Sequence, residues 1–157
     1  MLTVDVQKPV ARVTLDRPGI HNALNDELIP LVTQAFTELG VTVSPEVCEF
    51  YSRFEGPFST RHTGFELLDA CVGTGECAIT GATTICRRQF NLPDRFLVIS
   101  NYLGGGVLML DTLTDQVFNV DFEGGLEELI AGRLPAEGSF ASFVASYFLG
   151  SSRATLP

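Results

Sequence analysis

Residues 93–121 read PDRFLVISNYLGGGVLMLDTLTDQVFNVD, and this stretch decides the fold class. Phe96-Leu97-Val98-Ile99, Val107-Leu108-Met109-Leu110 and Val117-Phe118-Asn119-Val120 are three short apolar runs, each bounded by turn-forming residues. Gly104-Gly105-Gly106 separates the first two, and Asp111-Thr112-Leu113-Thr114-Asp115 separates the second from the third. Connections this short leave no room for a crossover helix, so the three strands are expected as antiparallel neighbours in a meander. Gly104-Gly105-Gly106 lacks the Lys-Ser/Thr pair of a phosphate loop and has no helix after it, so it reads as a flexible or bulged hairpin connection.

Helical periodicity appears on both sides of this region. Residues 44–56, SPEVCEFYSRFEG, begin with a serine able to cap a helix and a proline suited to its first position. Val47, Phe50, Tyr51 and Phe54 form one apolar stripe, and Gly56-Pro57 is expected to stop the helix. Upstream, Asn25 is the expected cap of a helix over 26–39, with Leu28, Leu31, Val32, Ala35, Phe36 and Leu39 on one face. Downstream, a helix from Ser139 to Leu149 carries Phe140, Phe143, Val144, Tyr147 and Phe148 on one side, which places Phe143 in the core. Residues 127–130 make a brief helical turn, and Phe65-Glu66-Leu67-Leu68 reads as a strand. The segment 80–91 is ambiguous: a helix there would turn Ile85 and Phe90 inward, but its β-branched residues argue against helix. Val4 to Val6 and Val10 to Leu15 alternate as a strand or small hairpin around Lys8-Pro9. Together these elements predict an α+β fold: an antiparallel meander sheet packed with N-terminal helices and a C-terminal helix.

Composition limits the function. The 157 residues suit one domain with a core of its own, and 45% hydrophobic with 18% charged residues is the balance of an ordinary globular chain. No apolar run approaches the roughly 18–20 residues of a membrane span, and the first residues lack the pattern of a signal peptide, so the expected location is cytoplasmic. A net charge of −9 repels nucleic acid and anionic lipid and attracts a basic protein. Cys48, Cys71, Cys77 and Cys86 show no paired CxxC spacing and are expected as reduced, mostly buried thiols.

The order of the parts resembles the SUKH superfamily, the Smi/Knr-like proteins of fungal cell-wall regulation and bacterial toxin immunity, over residues of about 24–149. The resemblance rests on the first helix ending at Leu39-Gly40, the SPEVCEFYSRFEGPF segment, Phe65-Glu66-Leu67-Leu68, the sheet entry from Leu92 to Ile99, the hairpin from Leu110 to Val117 and the closing helix from Ser139. It implies a non-enzymatic domain that binds another protein, most concretely an immunity protein neutralising a toxin domain, without cofactor or metal. Residues 10–18 with Asn22-Ala23-Leu24 are similar to the opening strand and turn of the crotonase superfamily. A crotonase needs a far longer core to build its acyl-CoA site and oxyanion hole, so this segment of about 10–24 is treated as an extension of uncertain origin. The alternatives to the immunity role are a remodelled crotonase-like acyl-CoA-binding enzyme fragment and a regulatory adaptor without a toxin partner.

The inventory for catalysis is poor. His21 and His62 are the two histidines, both in expected loops without a second ligand type at metal spacing. Cys48 and His62 could be paired as nucleophile and base only by taking a cysteine from inside a helix, where packing already accounts for it. Asp111 and Asp115 lack the rest of a calcium loop and suffice as turn formers. What remains is acidic. Glu55, Asp94, Asp111 and Asp121 fall at expected element ends, where side chains escape the core, and are the candidate carboxylates for a basic toxin partner, with Phe58 and Tyr102 as aromatic anchors.

Overall fold

The computed structural model describes residues 2–7, 10–15, 28–54, 56–70 and 77–150. Among them are five helices and two antiparallel sheets, an α+β fold. Strands β1 (Leu2–Gln7) and β2 (Val10–Leu15) pair as the expected hairpin, Leu2 opposite Leu15. Helices α1 (Leu28–Glu38), α2 (Pro45–Arg53) and α3 (Ile79–Phe90) precede the main sheet. That sheet runs in the order β3 (Phe96–Val98), β4 (Gly106–Asp111), β5 (Gln116–Asp121) and β6 (Gly138–Ser139). Helix α4 (Gly125–Ile130) lies between β5 and β6, and α5 (Phe140–Leu149) closes the described chain.

The meander is as expected. In its register Asp111 faces both Phe96 and Gln116, while Gly106 faces Asp121. All six residues of β4 are buried, as a central strand covered on both faces must be, whereas in β5 only Val117 and Val120 are. Gly104 and Gly105 both have positive φ and Leu103 and Gly106 exchange backbone hydrogen bonds, so the triple glycine makes a tight two-residue hairpin turn and not a flexible or bulged link. Gly106 is required for a different reason: a Cβ there would sit 2.7 Å from the Val120 carbonyl oxygen.

Helix α2 begins as its sequence dictates, with Pro45 at the first position and the Ser44 hydroxyl accepting from Val47 N. Its end differs. Phe54 turns extended and stops the helix, and Gly56 is not a left-handed cap. Gly56 is there because Asp69 packs on it: Gly56 N donates to Asp69 Oδ2 at 2.6 Å, and a Cβ would lie 3.1 Å from Asp69 N. Val47 and Tyr51 of the stripe are buried, and Phe50 packs beside them. The segment over 26–39 forms helix from Leu28, with Val32, Ala35, Phe36 and Leu39 in the core and Leu31 exposed; the Asn25 cap lies outside the described residues.

The ambiguous segment is helical. Ile79, Ala82, Thr83 and Cys86 are its buried positions, while Ile85 is only half-buried and Phe90 is 40% exposed, so neither of these two points into the core as the sequence suggested. The β-branched Thr83, unfavourable for helix in isolation, is held by a tertiary bond: its hydroxyl accepts from Val98 N at 2.9 Å. That bond occupies an N–H on the outer edge of β3. Phe65-Glu66-Leu67-Leu68 is not a regular strand but an extended segment with isolated pairings, Leu67 to Phe58 and Leu67 to Ser100. Cys86 is buried, Cys48 half-buried and Cys77 exposed, so the described thiols are less buried than expected; Cys71 lies outside the described residues.

The core joins α1, α2, α3, α5 and the sheet. Between α2 and α5, Phe50, Tyr51, Phe58, Phe140 and Phe148 interlock, several of them edge to face. In α5 the fully buried aromatics are Phe140 and Tyr147; Phe143 is only partly buried, in the shell of the core and not within it. Tyr147 Oη lies 2.7 Å from the carbonyl oxygens of both Phe58 and Phe65, pinning the 58–65 loop to α5.

Candidate functional site

A second aromatic assembly lies at the margin of this core, against which its middle ring, Phe122, packs. Phe122 stacks on Phe90 with ring centres 4.3 Å apart and an interplanar angle of 18°, and on Tyr102 at 6.1 Å and 21°. Phe122 is the middle ring of a three-ring ladder whose ends are exposed, Phe90 to 40% and Tyr102 to 64%.

Each rung is fixed by its local chain. Asn91 takes a left-handed conformation and ends α3, leaving Phe90 as the last helical residue. Tyr102 sits between two locked points. Before it, Asn101 exchanges hydrogen bonds with Glu66, its N donating to Glu66 O and its Oδ1 accepting from Glu66 N, both at 3.0 Å. After it comes the Gly104-Gly105 turn, where Gly105 O accepts from Phe122 N at 3.1 Å. Phe122 follows β5 directly, in a turn organised by Asp121: Oδ1 accepts from Glu123 N at 2.9 Å and from Gly125 N at 3.2 Å. A Cβ on Gly125 would meet Asp121 Oδ2 at 2.8 Å, so glycine permits this closure.

Charge beside the ladder is negative at the Phe122 rung. Asp121 and Glu123, on either side of Phe122 in the chain, are both exposed, and among the described residues Asp121 Oδ2 accepts no hydrogen bond. Glu127 is exposed at the start of α4, whereas Glu128 is taken by Arg133 in two hydrogen bonds of 2.7 and 2.8 Å. The Arg133 hydrogen bond holds the Glu128 carboxyl below its usual value.

The six residues singled out from the sequence do not converge. Tyr102 and Asp121 lie at one end of the β4–β5 hairpin. Asp94 and Asp111 lie at the other, since Arg95 reaches Asp111 and Asp111 is the last residue of β4. Five residue steps at roughly 3.4 Å separate the two ends of β4, about 17 Å. Asp111 does not escape the core: it is 3% exposed, its Oδ1 accepts from Leu113 N, and its Oδ2 is 3.5 Å from Arg95 Nε. Its role is to brace a turn, because a carboxylate at the end of a strand can fold back as readily as reach out. Asp94 is solvated, 3.7 Å from Arg87 Nε, and Arg87 also donates to Leu39 O and Asp94 O. Phe58 belongs to the interior assembly, partly buried among Phe50 and Phe148. Glu55 lies outside the described residues.

The stacking of Phe90, exposed, on half-buried Phe122 was not anticipated. Both sit where periodicity points inward, Phe90 continuing the stripe of Ile79, Thr83 and Cys86, and Phe122 two residues after buried Val120. No local signal marks the pair, because their stacking depends on their meeting each other across the fold.

Cys48 Sγ has Ser52 Oγ as its neighbour at 4.0 Å, and the His62 ring is crowded against Gly150, where a Cβ would come within 2.8 Å of it. Among the described residues no three His, Cys, Asp or Glu side chains are grouped to hold a metal ion, and no helix is long and apolar enough to cross a membrane. No family model, curated protein or solved structure matches the chain.

Proposed function

We propose that this protein is a non-enzymatic binding domain that recognises a basic protein partner through the Phe90–Phe122–Tyr102 ladder and the carboxylates beside it. The observation that carries this reading is the ladder itself: three stacked rings held on locked turns, solvent-exposed at both ends, with Asp121 and Glu123 adjoining the middle one. Exposed aromatics on rigid supports supply binding free energy at low entropic cost, while flanking charges set association rate and partner choice. The net charge of −9 favours a basic partner and disfavours nucleic acid and anionic membrane. The finer reading, resting on the SUKH-like order of elements, is a cytoplasmic immunity protein that masks a toxin domain.

The experiment is capture of partners from the native host by wild-type protein and by Tyr102→Ala, followed by association and dissociation kinetics at several salt concentrations. A basic partner lost with Tyr102→Ala, and associating more slowly as salt rises, is the expected result. An acidic partner, or association indifferent to salt, overturns the electrostatic reading. A captured partner encoded beside this protein as a secreted toxin would support the immunity role specifically.

A further inference from the structure

We infer that the ladder is completed by an arginine side chain of the partner, stacked on the outer face of Tyr102 and held by Asp121 and Glu123. This rests on the protein-binding reading above and assigns the chemistry of what binds. Three kinds of planar group stack well on an exposed ring: another aromatic ring, a nucleobase and a guanidinium. Charge separates them. A second copy of this chain would bring a second net charge of −9, with its own Asp121 and Glu123, against the first. A nucleobase arrives with phosphate, which the same carboxylates repel. Guanidinium alone is both planar and cationic, and it pays less for losing its hydration than an ammonium does.

The ladder has one suitable end. At Phe90 the chain neighbours Gln89 and Asn91 are exposed but uncharged, and the nearest exposed charge in the sequence is the cation Arg88, two residues before it. Tyr102, 64% exposed, occupies the end beyond Phe122, whose chain neighbours are the two acids. Asp121 Oδ1 is spent on the turn, which fixes the carboxylate and leaves Oδ2 as acceptor; Glu123 is free to follow the ligand. Tyr102 needs no rearrangement, because Asn101 and the Gly104-Gly105 turn already hold its backbone.

The test uses the intact protein with a capped hexa-arginine peptide, its hexa-lysine counterpart and a single-stranded oligonucleotide. Of the three tyrosines, Tyr51 and Tyr147 are buried, so a change in exposed tyrosine emission reports Tyr102. We expect the arginine peptide to bind about threefold or more tightly than the lysine peptide, the scale of a surface cation–π contact. Tyr102→Leu should abolish that preference and leave the weaker, salt-sensitive binding of both peptides; Glu123→Gln should weaken both. Equal affinity for the two peptides, or a preference that survives Tyr102→Leu, overturns the arginine assignment and leaves the acidic binding surface standing. Failure of both peptides to bind at low salt overturns the two readings together. Binding of the oligonucleotide, or dimerisation that Tyr102→Leu removes, replaces arginine with a nucleobase or a second copy.

Discussion

Two aromatic assemblies, built from the same residue types, do opposite things in this molecule. Between α2 and α5, Phe50, Tyr51, Phe58, Phe140, Tyr147 and Phe148 meet at varied and often steep angles and bury most of their surface. At the end of the β4–β5 hairpin, Phe90, Phe122 and Tyr102 lie nearly parallel, and the two outer rings, Phe90 and Tyr102, remain open to solvent while Phe122 is half-buried between them. Edge-to-face rings fill space in three dimensions, as a core requires, whereas a parallel stack leaves its end faces available. The first assembly should therefore carry stability and the second recognition.

The sharpest way to break this contrast is Phe140→Ala. Phe140 is 1% exposed and touches Phe50 and Tyr51, so its loss should cost about 3–5 kcal/mol in chemical denaturation. A cost below about 1 kcal/mol would show that α5 is not part of the core. Tyr147→Phe keeps the ring but strips the hydroxyl from the Phe58 and Phe65 carbonyls, and should cost about 1–3 kcal/mol with the loop at 58–65 gaining protease sensitivity.

Tyr51 sharpens the comparison through pH. Burial first, then the Asp69 carboxylate and the Tyr147 hydroxyl, push its phenol far above the ordinary value of 10.0, and its Oη has no hydrogen-bond partner. In the unfolded chain Tyr51 loses its proton near pH 10; in the folded protein it keeps it. The unfolded state then binds fewer protons, so stability is whole below pH 10 and falls above it, by about 1.4 kcal/mol per pH unit for this one group. Tyr51→Phe should flatten that alkaline slope and, having removed an unpartnered polar group, cost little or nothing at pH 7. A slope unchanged by the substitution would place the phenol in contact with water.

Phe143→Ala, in the partly buried shell of α5, should cost about 1–2 kcal/mol, well short of Phe140. Tyr102→Ala should be the smallest effect on stability, within about 0.5 kcal/mol, while speeding dissociation of the partner. Should Tyr102→Ala destabilise as much as Phe140→Ala, the ladder is a piece of core and the contrast collapses.

Much of the fold was legible in the sequence because its signals are local. The Ser44-Pro45 helix start, the Ser139 cap and the short turns that force antiparallel pairing each act within a few residues, so chain order alone specifies them. The candidate site was legible only in part. Tyr102 and Asp121 could be picked as exposed ends, but Asp111 turned inward to Leu113 and Arg95, and Phe58 joined the interior. Periodicity reports which face of an element a residue occupies, not whether anything covers that face.

By itself, then, the sequence determined the α+β class, the meander and its turns, and an acidic surface, since each follows from spacing, backbone chemistry or summed charge. Tertiary structure alone decided three things. Thr83 could be helical because a sheet N–H awaited it, Gly56 was required because Asp69 packs on it, and Phe90, Phe122 and Tyr102 came from three separate segments to make one ladder. The physical reason is common to all three: each depends on the distance between atoms remote in the chain, and no local preference encodes that distance.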